Sequence, residues 1–84
     1  MSRAPIDQAR WQPWIDHVCA AVGVDPEMVD VRWLHRITGE VATVYTRPMA
    51  PVAAHLLGLA EGSGVRPSPA RQAIRDAAEA AAQG

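Results

Sequence analysis

The side chains with the most scope for chemistry lie in the middle of the chain. Arg36 and Glu40 stand four residues apart, Arg47 follows seven residues later, and His55 eight residues after that. Two guanidiniums, a carboxylate and an imidazole can together hold an anionic small molecule or a nucleotide. Arg36 and Glu40 also have the spacing of an ion pair on one helix face, worth less than about 1 kcal/mol. We favour the ion pair, and keep a small-molecule or nucleotide site made of Arg36, Glu40, Arg47 and His55 as the alternative.

Metal binding and covalent catalysis find little support in the residue spacing. His17 and Cys19 are two residues apart and face different directions on a helix, and His35 and His55 lie on other segments. The chain has no paired-cysteine motif and no two histidines four residues apart. Cys19 lies on an apolar stripe, which is typical of a small buried hydrophobe. We therefore expect no metal, no cofactor and no enzymatic activity.

A third set of candidates suits recognition by another protein, because tryptophan anchors many interfaces. The set comprises Trp11, Trp14, Trp33 and Met49, together with Arg47 beside Met49. The chain has no Phe, so the tryptophans are also natural core residues. This second interpretation predicts that Trp14 is buried, whereas Trp11 is the better candidate for a surface contact.

Composition narrows the class of protein. A chain of 84 residues with 49% hydrophobic and 20% charged residues is one small globular domain rather than a disordered segment. Eight basic residues against nine acidic ones, a net charge of −1, lack the basic excess of a nucleic-acid-binding protein. A single Cys excludes an internal disulfide, and no apolar run approaches the length of a membrane span. No apolar stretch of a signal peptide follows Arg3. We expect a cytoplasmic protein with neither a nucleic-acid nor a membrane partner.

The hydrophobic periodicity predicts an all-α fold: a compact bundle of four helices plus a short helical turn, with no sheet. We expect a flexible N-terminal arm over residues 1–10, in which a helical turn after Asp7 can form, and a single helical domain over 11–84. The predicted helices cover residues 11–22, 31–45 and 51–61 and the stretch from Ser68-Pro69 to the C-terminus. Pro13 indicates a helix start nearby, and the β-branched residues of 41–45 leave a strand as an alternative there.

Several residues predict where these helices begin, end and meet. Gly23 suits a helix C-terminus, Asp25-Pro26 begins the short turn, and Asp30 caps the second helix. The third helix is apolar nearly all round, which is typical of a central, buried helix. Gly58 on that helix permits a close helix crossing. Ser68 followed by Pro69 predicts the N-cap of the last helix.

A set of short motifs between residues 14 and 60 points to a known family. They are Trp14-Ile15, Val22-Gly23-Val24-Asp25-Pro26, Val29-Asp30-Val31, Glu40-Val41-Ala42, Arg47-Pro48-Met49-Ala50-Pro51-Val52 and Leu56-Leu57-Gly58-Leu59-Ala60. In order and spacing they resemble an uncharacterised family of short actinobacterial helical domains, of unknown function. Its members occur free-standing or fused to molybdenum-cofactor guanylyltransferases. This chain departs from the family at Thr43, often a histidine there, and at His55, usually aromatic.

The resemblance implies a pathway rather than a mechanism. It suggests a non-enzymatic accessory or protein-interaction domain associated with the biosynthesis of the molybdopterin guanine dinucleotide cofactor. The expected partner is the molybdenum-cofactor guanylyltransferase or a second copy of this chain. The expected contacts are Trp11, Trp33, Arg47 and Met49.

Overall fold

Every regular element between residues 6 and 84, the part of the chain that the computed structural model describes, is helical. The elements are α1 (Gln8–Val22), a first 3-10 turn (Pro26–Met28), α2 (Val31–Val44), a second 3-10 turn (Arg47–Met49), α3 (Ala50–Gly62) and α4 (Pro67–Gln83). The all-α prediction is confirmed. The chain divides into two compact units, one ending at Trp33 and the other spanning Leu34–Gly84, where the sequence predicted one domain over 11–84. The two units are described separately below.

The first helix begins earlier than predicted. The backbone N–H of Arg10 donates to Oδ1 of Asp7 over 3.3 Å, so a helical turn does follow Asp7, and it is continuous with α1, which starts at Gln8. Residues 1–5 of that predicted arm lie outside the described residues. Pro13 is inside α1, not at its start. The hydrogen bond that proline cannot donate would have gone to the carbonyl of Ala9, an exposed residue whose carbonyl can bond water instead.

The end of α1 and the start of α2 follow the predicted caps. Gly23 adopts the left-handed conformation, with φ of 74°, and closes α1. Oδ1 of Asp25 accepts a hydrogen bond from Glu27 N–H over 2.9 Å at the first 3-10 turn. Oδ1 of Asp30 accepts one from Trp33 N–H over 3.0 Å at the start of α2. All three predictions are confirmed.

Gln8 ties the segment before α2 to the start of α1. Its side-chain amide donates to the carbonyl of Val29 over 2.8 Å, and its carbonyl accepts from Val31 N–H over 2.9 Å. One side chain thus satisfies two backbone groups that have no helical partner. The first unit is held together across more than twenty residues of sequence by this contact.

The second unit contains the larger part of the core. Residues 41–44 are helical, so the alternative strand does not form. Ile37 on α2 and Leu57 on α3 are fully buried. Val41, Ala53 and Ala78, one from each of α2, α3 and α4, form a buried cluster against which Ile74 packs. The three helices therefore meet mainly through small or medium-sized side chains.

The third helix is not the buried central helix that its composition predicts. It buries the side bearing Ala53 and Leu57, whereas Val52, Leu56 and Leu59 are 42%, 51% and 55% exposed. Within the second unit, α4 and the second 3-10 turn are the elements that pack extensively along it. Gly58 makes no close crossing, since no side chain and no other helix of the described residues comes within 4 Å of where its Cβ would be, apart from its immediate chain neighbours.

The last helix begins one residue before the predicted cap. Arg66 flanks it with no side-chain cap, and Pro67 is its first residue. Ser68 therefore lies inside the first turn rather than at the N-cap. Pro67 and Pro69 both fit that turn because the first N–H groups of a helix have no helical acceptor.

Candidate docking groove

An open groove of about 410 Å³ lies on the second unit, where α2, the second 3-10 turn, α3 and α4 come together. Its lining is apolar apart from one tyrosine hydroxyl. The lining residues are Val41, Tyr45, Met49, Val52, Ala53, Leu56, Ala73, Ile74, Ala77, Ala78 and Ala81. Such a surface recognises apolar groups and offers little to a charged ligand.

The groove exists because its two walls differ in side-chain size. Val52 and Leu56 line it from α3, while Ala73, Ala77 and Ala81 line it from α4. Ile74, the one larger α4 residue of the lining, packs down against the buried cluster. The three alanines have no side chain beyond Cβ, so the space beside Val52 and Leu56 stays open. The floor is the buried cluster described above, which closes the groove from below.

Several large apolar side chains of this groove are in contact with water. Tyr45 is 47% exposed, Met49 is 36% exposed and Leu56 is 51% exposed. A contiguous apolar patch of this kind marks an interaction site more often than an ordinary surface. Covering it would bury these side chains and release free energy of about 25 cal/mol for each Å² of apolar area removed from water.

The predicted Arg36–Glu40 ion pair is confirmed, with Nε and Oε1 separated by 3.9 Å. Glu40 also pairs across to α4, where Arg75 Nε lies 3.6 Å from Oε2. Arg75 in turn lies 3.9 Å from Glu79. Two cations and two anions leave this ion-pair network without net charge. Its charges are used within the unit, so it has little attraction left for an anionic ligand.

The other two residues of the predicted small-molecule site are elsewhere. Arg47 is exposed in the second 3-10 turn and His55 is exposed on α3. Within residues 6–84, neither is ion-paired with Glu40, whose second partner is Arg75 instead. The sequence missed Arg75 because its spacing to Glu79 indicates only a local pair; the contact with Glu40 depends on how α2 and α4 pack.

The predicted partner contacts are also distributed over both units. Trp14 is 69% exposed, so its predicted burial is wrong: α1 turns Ile15 and Cys19 inward, and Trp14 lies off that face. Trp11 is 39% exposed, and Trp33 is half-buried. Met49, by contrast, is part of the groove, and Arg47 lies two residues before it in the same turn.

The remaining candidates for a functional feature are the cysteine, the potential metal ligands and a membrane-spanning helix. Cys19 is a buried free thiol, as its place on the apolar stripe predicted. Among residues 6–84, no three His, Cys, Asp or Glu side chains come together as metal ligands. No helix in this range combines the length and the apolarity needed to cross a membrane.

Comparison with known families agrees with the fold. A family described as a domain of unknown function, DUF6457, matches residues 7–84. The chain belongs to this family. The match covers every helix described above, including all residues of the groove. No curated protein and no solved structure matches the chain.

In this DUF6457 chain, sequence reasoning identified only Met49 among the groove residues as a partner contact. For the groove residues on α3, the available signal was that apolar residues lie all round this helix. That pattern predicts a buried helix, but α3 has one buried side and one exposed apolar side. The alanines of α4 divide in the same way: Ala70 and Ala78 are buried, whereas Ala73, Ala77 and Ala81 are exposed and line the groove.

Proposed function

We propose that this DUF6457 chain is a non-enzymatic protein-interaction domain whose groove binds an amphipathic helix of a partner protein. The observation that carries this proposal is the groove itself, in which Tyr45, Met49 and Leu56 stay partly exposed beside a stripe of alanines. An apolar groove between helices is the surface that amphipathic helices bind, through anchors spaced three, four and seven residues apart.

The size of the groove favours one helix over a broad protein face. Eleven residues line it. A standard protein interface takes about 20–30 residues from each partner. The small α4 side chains let a helix approach closely, and the larger α3 side chains give its apolar face something to pack against. A single inserted helix would therefore cover most of the exposed apolar surface.

The partner that we propose is the molybdenum-cofactor guanylyltransferase. Support comes from the resemblance to domains that occur fused to this enzyme. Fusion keeps two proteins together, and a domain that is not fused would achieve the same association through a binding surface. In this proposal the domain contributes no reacting group, and its role is accessory to the biosynthesis of the molybdopterin guanine dinucleotide cofactor.

The test is a calorimetric titration of the guanylyltransferase with the intact chain and two arginine variants. Ala77→Arg places a charge in the groove, and Ala82→Arg makes the same change at an exposed position of α4 outside it. We expect Ala77→Arg to weaken binding at least about tenfold, because a buried unpaired charge is costly. Ala82→Arg should bind like the unmodified chain. A negative heat-capacity change should accompany binding. If both variants bound the enzyme equally well, the enzyme would have to contact a surface of the chain other than the groove.

A further inference from the structure

We propose that a second copy of this chain occupies the same groove, so that two copies pair about a twofold axis through its centre. This inference rests on the proposed docking role of the groove and names the occupant when no other partner is present. A twofold axis places the same surface of both copies face to face, so the surface must complement itself. The groove meets that requirement in side-chain size and in charge.

Size complementarity comes from the unequal walls. In the proposed pair the axis runs along the groove, between its two walls, so the α3 wall of each copy lies against the α4 wall of the other. Val52 and Leu56 then meet Ala73 and Ala77 of the second copy, large side chains against small ones, on both sides of the axis. The larger α3 side chains of each copy then cover the exposed alanines of the other.

Charge complementarity comes from the outer rims of the walls. His55 precedes Leu56 on α3, and Asp76 precedes Ala77 on α4. Each lies about 100° around its helix from the groove-lining residue, on the side away from the core. The residues that follow the lining pair, Leu57 and Ala78, are buried, while His55 and Asp76 are exposed.

The twofold axis brings these two rims together. His55 of each copy then faces Asp76 of the other, an imidazole opposite a carboxylate, and the contact occurs twice. The α3 wall itself carries no Arg, Lys, Asp or Glu between Arg47 and Glu61. The approach of two copies is therefore not opposed by like charges. Because the lining is smaller than a standard interface, we expect a weak dimer that forms with rising concentration.

Sedimentation equilibrium of the intact chain tests the pairing. We expect the mass to rise from the 9.0 kDa of one chain toward twice that value as the concentration increases from about 10 µM to about 1 mM. His55→Asp sets two carboxylates against each other at both rims and should raise the dimer dissociation constant by about tenfold. Adding Asp76→Arg to that variant replaces each repulsion with an attraction and should restore the dimer.

The arginine variants at Ala77 and Ala82 give a second measurement. Ala77→Arg should abolish the dimer and Ala82→Arg should leave it intact, with the helical circular dichroism of all variants confirming that they fold. A chain that stays at monomer mass at every concentration would overturn the pairing. A dimer that His55→Asp and Ala77→Arg do not weaken would also overturn it, because another surface would then be responsible.

These results separate the dimer from the proposed function. Binding of the guanylyltransferase depends on Ala77, but it does not depend on the contact between His55 of one copy and Asp76 of the other. A monomeric chain whose guanylyltransferase binding is lost in Ala77→Arg retains the proposed function without the dimer. A chain that dimerises through the groove but does not bind the enzyme retains the dimer and contradicts the proposed partner.

Discussion

Arg75 on α4 approaches Glu40 on α2 with 3.6 Å between Nε and Oε2. The Oε2 atom is buried and accepts no hydrogen bond from the described residues. A carboxylate oxygen withdrawn from water needs a compensating positive charge, and Arg75 provides it across the helix pair. Arg36, the other partner of Glu40, is 71% exposed along its side chain and is held less firmly.

The two arginines should therefore contribute unequally to stability. Arg75→Gln should lower the free energy of unfolding by about 1 kcal/mol, because it leaves the carboxylate uncompensated. Arg36→Gln should cost less than about 0.5 kcal/mol, as exposed pairs do. Urea denaturation of both variants measures the difference. Equal losses would mean that the contact between α2 and α4 adds nothing beyond a surface pair.

Gln8 provides a second test, within the first unit. Gln8→Ala leaves the carbonyl of Val29 and the N–H of Val31 without their partner and should cost about 1–2 kcal/mol of unfolding free energy. The matched control is Gln72→Ala, which removes only an exposed contact with Asp76 and should change stability by less than about 0.5 kcal/mol. Faster hydrogen exchange at the Val31 amide would locate the effect. An unchanged exchange rate there would contradict this role.

The glycines should respond to alanine in opposite directions. Gly39 and Gly58 are helical, and an added Cβ at either would meet no side chain and no other helix of the described residues within 4 Å, apart from its immediate chain neighbours. Gly→Ala at each should therefore stabilise the chain by about 0.5–1 kcal/mol. Gly23 has φ of 74°, and Gly23→Ala should destabilise by about 1 kcal/mol. Thermal melts of the three variants check the signs. If Gly58→Ala destabilised the chain, another helix would have to cross close to Gly58, as the sequence predicted.

Trp14 and Ile15 are neighbours with opposite environments. Ile15 is 5% exposed, so Ile15→Ala should cost about 2–4 kcal/mol, whereas Trp14→Ala should cost less than about 0.5 kcal/mol. Denaturation of each variant gives the two costs. Quenching by iodide should reach Trp14 readily, and removing Trp14 should take away much of the quenchable fluorescence. A large loss of stability in Trp14→Ala would mean that the Trp14 side chain is buried in the core, contrary to its exposure here.

The features that the sequence predicted well are local. The caps at Asp25 and Asp30 and the left-handed Gly23 depend on a few neighbouring residues, and each forms as expected. The number and order of the helices follow from hydrophobic periodicity for the same reason. The Arg36–Glu40 pair needs only one helix turn, so its spacing was sufficient.

The features that it missed depend on packing between distant segments. Apolar residues cover most of α3, but the sequence does not say how many neighbours surround the helix, and Leu56 remains half-exposed. The partner of Glu40 could not be identified because Arg75 lies thirty-five residues further along the chain. The absence of Phe made Trp14 an expected core residue, yet Ile15 and Cys19 occupy the buried side of α1.

The most direct test of docking through the groove is light scattering during size exclusion. The chain is mixed with the guanylyltransferase from the same genome before the run. We expect one additional complex whose mass is that of the enzyme plus this chain. The complex should be lost with Ala77→Arg and retained with Ala82→Arg. Separate elution of the two proteins at every ratio, or a complex that Ala77→Arg leaves intact, would contradict the assignment of the groove as the docking site.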